Sequence, residues 1–197
     1  MENNYQYLDP EYKYTNKNGV LHNLANIVNE RILIAFESLK VSKRVEELYE
    51  NPLKIKNSSS LLDIHRYLFK DVYTWAGQVR IVNISKDGKP FFDGERFSLG
   101  FQYIDSLIVE FRKIKTNNKK EISQKLAEIL DNVNYLHPFR EGNGRTQREF
   151  LRLLSLEKGL VLNLNPPDNS SVYNRYMKGA IESDKSILFE LIFELIQ

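Results

Sequence analysis

"HPFREGNGRTQREF", residues 137–150, closes one helical pattern and opens another. Upstream, "EISQKLAEILDNVNYL" repeats Ile122, Leu126, Ile129, Val133 and Leu136 at helical spacing, which predicts one apolar face. Pro138 cannot continue that helix, so the chain must turn. Downstream, "RTQREFLRLLSLEKGL" is periodic again and is stopped by Gly159. Between them, Gly142 and Gly144 can take positive φ, and Asn143 tolerates it better than most residues. The Gly-Asn-Gly turn therefore falls at a helix N-terminus, where free backbone amides and the helix dipole attract anions. Successive amides in such a turn form a concave nest for phosphate oxygens.

The side chains around the turn suit the same ligand. Arg145 and Arg148 are three residues apart, share a helix face, and can both reach phosphate oxygens near its start. Glu141 offers a hard oxygen of the kind that Mg²⁺ bound to a nucleotide takes from a protein. His137 has no metal partner at ligand spacing, since His22 and His65 fall in predicted helices; beside a phosphate nest it suits a general base. The competing reading is structural: a Gly-x-Gly turn recurs in many folds, and either arginine could serve a surface carboxylate such as Glu149 or Glu157. The residues alone leave both readings open. His65 and Trp75 read as core positions.

Working outward, helical periodicity dominates. "SSSLLDIHRYLFKDVY" opens with Ser60 and Asp63 at capping-box spacing before Leu61, Ile64, Leu68 and Val72. Further helices are predicted at about 22–40, 97–115, 145–158 and 170–196, the last broken near "ESDKS". One stretch differs: "QVRIVNIS" alternates and is β-branched, and Asp87-Gly88 after it is a preferred pair for a tight hairpin turn. A lone hairpin is marginal in water, so it should lie on the helical body as a flap. The predicted fold is all-α, mainly a helical bundle, with one β-hairpin flap.

Composition sets the class. The 197 residues suit one domain; 42% are apolar and 27% charged, the balance of a folded protein. A formal net charge of +2 argues against a nucleic-acid or membrane surface, and "KIKTNNKK" at 113–120 reads as a solvated loop between helices. With no cysteine there is neither a disulfide framework nor a thiolate nucleophile. The polar start "MENNYQYLDPEYKYT" has no signal-like apolar core, and no window approaches a membrane span, so a cytoplasmic protein is expected.

Residues 137–148 resemble the signature of the Fic domain, His-Pro-Phe-any-Asp/Glu-Gly-Asn-Gly-Arg with a second arginine three residues on, at every fixed position. "IHRYLFKDVYTWAGQVRIVNISKDG" is similar to the family's helix leading into its flap, and "DPEYKYTNKNGVLHNL" to the N-terminal segment of its bacterial toxin-like branch. The resemblance implies the Fic fold in a single domain over 1–197, with a core at about 55–160 and the flap at about 79–94. It implies protein adenylylation: AMP passes from Mg-ATP to a Ser, Thr or Tyr hydroxyl of a target protein, and pyrophosphate is released. His137 would be the base, Phe139 the loop's anchor in the core, and Glu141 the Mg²⁺ ligand. Gly142, Asn143 and Gly144 would form the anion hole, with Arg145 on the β-phosphate and Arg148 on the γ-phosphate. Flap residues Ile84, Ser85, Lys86, Phe91 and Phe92 would border the adenine and pair with an extended stretch of the target. Relatives that transfer other nucleotides, a phosphate or phosphocholine leave the donor open, and a non-catalytic interaction scaffold is a further alternative.

The resemblance also bears on control. Many members are inhibited by a helix carrying Ser/Thr-x-x-x-Glu-Gly/Asn, whose glutamate pairs with the second arginine, here Arg148. Ser186 to Glu190 and Ser42 to Glu46 have the spacing, but Leu191 and Glu47 follow them. The implied arrangement is a toxin held by a small separate antitoxin bearing that helix. Some toxin-branch members modify a type II topoisomerase subunit, which makes such a subunit a family-level candidate target.

Overall fold

In the computed structural model, which describes residues 5–164 and 170–197, helices dominate and one small sheet lies among them. The element order is β1 (Tyr5–Tyr7), α1 (Glu30–Glu50), α2 (Ser60–Phe69), β2 (Ile84–Lys86), β3 (Lys89–Pro90), α3 (Phe97–Lys113), α4 (Lys119–Leu136), α5 (Asn143–Leu156), α6 (Ser170–Glu182) and α7 (Lys185–Leu195). α4 packs on α3, α5 and α7, while α2 bridges α1 and α5. The apolar stripe predicted for α4 is the centre of the core: Ile122, Leu126, Ile129 and Val133 are fully buried, as are Phe150, Leu151 and Leu154 of α5. Each such side chain contributes about 1.5–3 kcal/mol relative to an exposed one.

Most helices fall where the periodicity puts them, and α6 and α7 break at Ser183-Asp184, where Asp184 caps α7 by accepting from the amides of Ser186 and Ile187. The loop at 114–118 separates α3 from α4, with Asn118 as N-cap. The first long helix is displaced: 22–29 are not helical and α1 runs on to Glu50. Asn29 caps it, accepting from Ile32 N, while Asn23 holds the preceding turn through Leu21 and Ile27. Its second half was hidden by charge, yet Val41 and Leu48 are buried; Pro52 follows the C-cap Asn51. The capping box expected at Ser60 does not form, because Ser60 Oγ accepts from Lys56 N, while Ser59 holds the cap position and turns its hydroxyl to Asn57 Oδ1 rather than to the helix.

The flap is shorter than the alternation suggests and gains a strand. Residues 78–83 are not in the sheet; β2 is only Ile84–Lys86, turned at Asp87-Gly88, both at positive φ. Arg80 explains the lost strand: its backbone N–H donates to Pro138 O, and its buried guanidinium donates to the carbonyls of His137, Val82 and Phe92. That cluster ties the flap's root to the loop at 137–142. The unpredicted strand β1 pairs antiparallel with β2, Tyr5 opposite Lys86 and Tyr7 opposite Ile84, giving the order β1-β2-β3. Its signal was present in the alternation "YQY", too short to separate from a polar terminus.

Candidate active site

His137 ends α4 as its C-cap at φ +43°, a left-handed conformation that turns the chain sharply into Pro138. Its ring is buried, and Nδ1 lies 3.2 Å from Asn134 O. A carbonyl only accepts, so Nδ1 carries the proton and Nε2 keeps its lone pair. Burial, with Arg80 and Lys86 nearby, pushes the His137 pKa down to about 3, so the ring is neutral. Phe91 stacks on it at 3.8 Å.

The loop from Pro138 to Gly142 is held by its own polar groups. Asn143 accepts from Phe139 N at 2.9 Å and donates to Phe139 O at 2.7 Å, so its side chain staples the loop and only its backbone amide is left for an anion. Phe139 is buried against His65 at 3.8 Å. His65 Nδ1 accepts from Gly77 N, which fixes Nε2–H as the donor to Glu141 O at 3.0 Å. Burial lowers the His65 pKa to about 3, so this clamp is neutral too.

Of the two glycines, only Gly142 has positive φ, +81°; it is the N-cap of α5, and Asn143 and Gly144 are helical. A Cβ on Gly142 would lie 2.3 Å from the Phe69 ring. Thr146 N closes the first backbone bond of α5, to Gly142 O, so the amides of Asn143, Gly144 and Arg145 have no partner within the helix. Gly144 carries no Cβ beside these amides; one built there would sit 3.3 Å from Arg148 Nη1.

Glu141, Gly142, Gly144, Arg145 and Arg148 share with His137 one cavity of about 450 Å³. Glu141 Oε1 accepts from Gly142 N and from Arg145 Nη2. Among the described residues no cluster of three or more His, Cys, Asp or Glu could cage a metal. One carboxylate at the mouth of a phosphate nest suits a Mg²⁺ that arrives with its nucleotide and keeps waters and phosphate oxygens as its other ligands.

Arg145 is fixed by a residue that no motif or spacing singles out. Glu37, nearly buried on α1, pairs with Arg145 Nη2 at 2.6 Å and accepts a short hydrogen bond from Tyr73 OH. Arg148 lies over the ring of Tyr176, whose OH donates to Gln147 Oε1. Tyr173, Tyr176, Met177, Ala180 and Ile181 line the wall facing the flap. Of the five flap residues, Lys86 and Phe91 line the cavity. Ile84 and Ser85 do not, and Phe92 packs on Tyr135 and Phe97 instead. Glu46 and Glu190, at the end of the two near-matches to the inhibitory pattern, are both exposed.

A helical body, a small β flap and a His-to-Arg loop joining two helices beneath it make up the Fic fold. The chain belongs to the Fic/DOC family, whose model matches residues 55–155. It is 35% identical over 154 residues to the protein adenylyltransferase VbhT of Bartonella schoenbuchensis, covering 78% of this chain and 31% of that protein. It is 35% identical over 152 residues to the probable protein adenylyltransferase y4lH of Sinorhizobium fredii, covering 73% of this chain and 74% of that one. Among solved structures, the type IV secretion effector BepA superposes with a TM-score of 0.79 at 26% identity, over 93% of this chain and 68% of its own. The BepC protein of Bartonella tribocorum, solved with bound AMPPNP, reaches 0.80 at 19% identity, over 93% of this chain and 96% of its own. No helix among the described residues is long and apolar enough to cross a membrane.

Proposed function

We propose that this chain is a protein adenylyltransferase, moving AMP from Mg-ATP to a Ser, Thr or Tyr hydroxyl of a target protein and releasing pyrophosphate. The observation that carries the reading is a neutral His137 of fixed tautomer in one cavity with the free amides of α5, two arginines and Glu141. Nε2 of His137 accepts the proton of the incoming hydroxyl. The first-turn amides, Arg145 and Arg148 hold the phosphates and take up the charge that develops on the leaving pyrophosphate. Glu141 would hold Mg²⁺, which when bound neutralises phosphate charge. Phe91 and the α6 wall at Met177, Ala180 and Ile181 offer the apolar faces a purine needs. Residues 1–197 are read as a single Fic domain acting in the cytoplasm.

The test is transfer of label from ATP, carrying it on the α-phosphate, to a protein of a cell lysate in the presence of Mg²⁺, with competition among the four nucleotides to fix the donor. His137→Ala should stop it; transfer surviving that substitution refutes the assigned base. Mass spectrometry of the labelled protein identifies the target, a type II topoisomerase subunit being the candidate the family suggests.

Control by a separate antitoxin is part of the same reading. It is supported by a groove lined by Val45 and Tyr49 of α1, Leu162 and Leu164, into which Arg145, Arg148, Glu149 and Arg152 also open. A partner helix lying there could bring a glutamate to Arg148. A helical peptide with the Ser-x-x-x-Glu-Gly pattern should inhibit label transfer, and its Glu→Ala version should not; equal inhibition by both counts against this mode of control.

A further inference from the structure

Glu37 stands where the pattern of α1 asks for an apolar side chain. The buried face of that helix runs through Leu33, Glu37, Val41 and Leu48, and Glu37 is only 8% exposed. A carboxylate taken out of water is costly unless charge and hydrogen bonds satisfy it. Both of its oxygens are satisfied here: Oε1 lies 2.6 Å from Arg145 Nη2, and Oε2 accepts from Tyr73 OH. Burial and the Glu37 charge raise the Tyr73 pKa, so at neutral pH the phenol keeps its proton and donates it. Tyr73 is itself stacked on Trp75 at 4.2 Å, which locks the carboxylate in place.

What Glu37 holds is contested by a second acid. The same nitrogen, Arg145 Nη2, lies 3.4 Å from Glu141 Oε1, outside the usual range of about 2.7–3.2 Å for such a bond, so Arg145 leans to Glu37. Glu141 Oε1 already accepts from Gly142 N at 2.8 Å, and among the described residues no donor reaches its Oε2. Among the described residues Arg145 is paired with these two carboxylates alone. Without the charge of Glu37, the guanidinium, which lies over the Phe69 ring at 4.7 Å, has only Glu141 to turn to. An arginine drawn fully onto that carboxylate competes with a cation for the same oxygens.

We propose that Glu37 is a positioning residue: it holds Arg145 off Glu141 and so keeps the Glu141 carboxylate open for the divalent cation that enters with the nucleotide. This rests on the adenylyltransferase reading. Glu37 does not line the cavity and acts only through Arg145. Its charge works on two binding events in opposite directions. It favours a cation at Glu141, and as a negative charge behind the phosphate nest it disfavours a nucleotide that arrives without one. A side chain that merely pinned α1 to α5 would affect both alike.

The experiment is calorimetric titration of the full chain with ATP, in Mg²⁺ and again with EDTA in its place, alongside transfer of label from ATP to a lysate protein over a Mg²⁺ series. Glu37→Gln keeps the shape and loses the charge. The gain in ATP affinity from Mg²⁺ should fall about tenfold, while affinity in EDTA stays at the wild-type value or tightens. Half-maximal transfer should need about tenfold more Mg²⁺, with the rate at saturation kept. Beside Arg145→Met, with no guanidinium to divert, Glu37→Gln should leave the gain unchanged. If urea unfolding shows the Gln variant unfolded, Glu37→Asp, which shortens the reach to Nη2, should cut the gain by about threefold. Equal weakening with and without Mg²⁺, a gain kept in a folded Glu37 variant, an effect of Glu37→Gln that persists beside Arg145→Met, or wild-type binding indifferent to Mg²⁺ overturns this inference alone. A wild-type chain that binds no ATP, or binds it and labels no protein, overturns the adenylyltransferase reading with it.

Discussion

The two glycines of the loop should respond to alanine in opposite ways, although their sequence setting is almost the same. Gly142→Ala forces a Cβ into a residue at φ +81° and to within 2.3 Å of the Phe69 ring. The left-handed conformation costs about 1–2 kcal/mol for a residue with a Cβ, and overpacking a core ring about 1–3 kcal/mol more. A loss of roughly 2–5 kcal/mol corresponds to a melting temperature about 4–20 °C lower in a domain of this size. Gly144→Ala places its Cβ in a helix, which favours folding by roughly 0.5–1 kcal/mol, but 3.3 Å from Arg148 Nη1. Arg148 must then shift; on the proposed reading this loses one charge-assisted hydrogen bond to the γ-phosphate, at about 1.5–3 kcal/mol, roughly ten- to a hundredfold in ATP affinity. Calorimetric unfolding and titration with ATP and AMP check both. Gly142→Ala should lose stability; Gly144→Ala should keep it, bind ATP more weakly and bind AMP as before. Equal weakening of ATP and AMP by Gly144→Ala, or a larger stability loss there than at Gly142, would refute the division of labour.

Acid should destabilise the fold through its two buried histidines. His65 and His137 have folded pKa values of about 3 against about 6.5 unfolded, so unfolding takes up protons between those values and stability falls as pH falls through that window. By pH 5 the pair should cost on the order of 4 kcal/mol, with no contribution above about pH 7; urea midpoints against pH measure it, and His65→Gln should remove one proton of the uptake. Asn143→Ala strands Phe139 N and O and should cost about 2–5 kcal/mol in thermal unfolding. Arg80→Met uncaps three carbonyls between flap and loop and should cost roughly 3 kcal/mol or more, with increased hydrogen exchange at residues 80–92.

What could be read in the sequence was whatever is local. The stripe of α4, the turn at Pro138 and the chemistry of residues 137–148 are set by neighbours within a few positions, and the structure brings His137, Glu141, Gly142, Gly144, Arg145 and Arg148 to one cavity. What could not be read is set by partners far along the chain. Arg80 lies in a stretch that alternates like a strand, and only its reach to His137 O, 57 residues away, shows why it is not one. Glu37 sits in a helix of mixed polarity, and its value appears only where Arg145 and Tyr73 meet it. α6 shows an ordinary amphipathic pattern, which says that it has a buried face but not that the face lines a cavity. Pattern reports burial; it does not report what is buried against what.

The cations around His137 help to keep it neutral, and the long-range contacts hold them in place. Arg80 is spent on carbonyls, Arg140 lies on the ring of Tyr7, and Arg145 is paired with Glu37 and Glu141. Burial and the surrounding positive charge both disfavour protonation of His137, and the Nδ1–H bond to Asn134 fixes which nitrogen is free. A base buried this way keeps its lone pair at any physiological pH, but its conjugate acid is unstable in the empty site. On the adenylyltransferase reading, a bound triphosphate would reverse that balance, because its charge would stabilise the imidazolium once the proton has moved. On that reading the proton is accepted only when the phosphates are in place, which would confine the chemistry to the nucleotide-bound state.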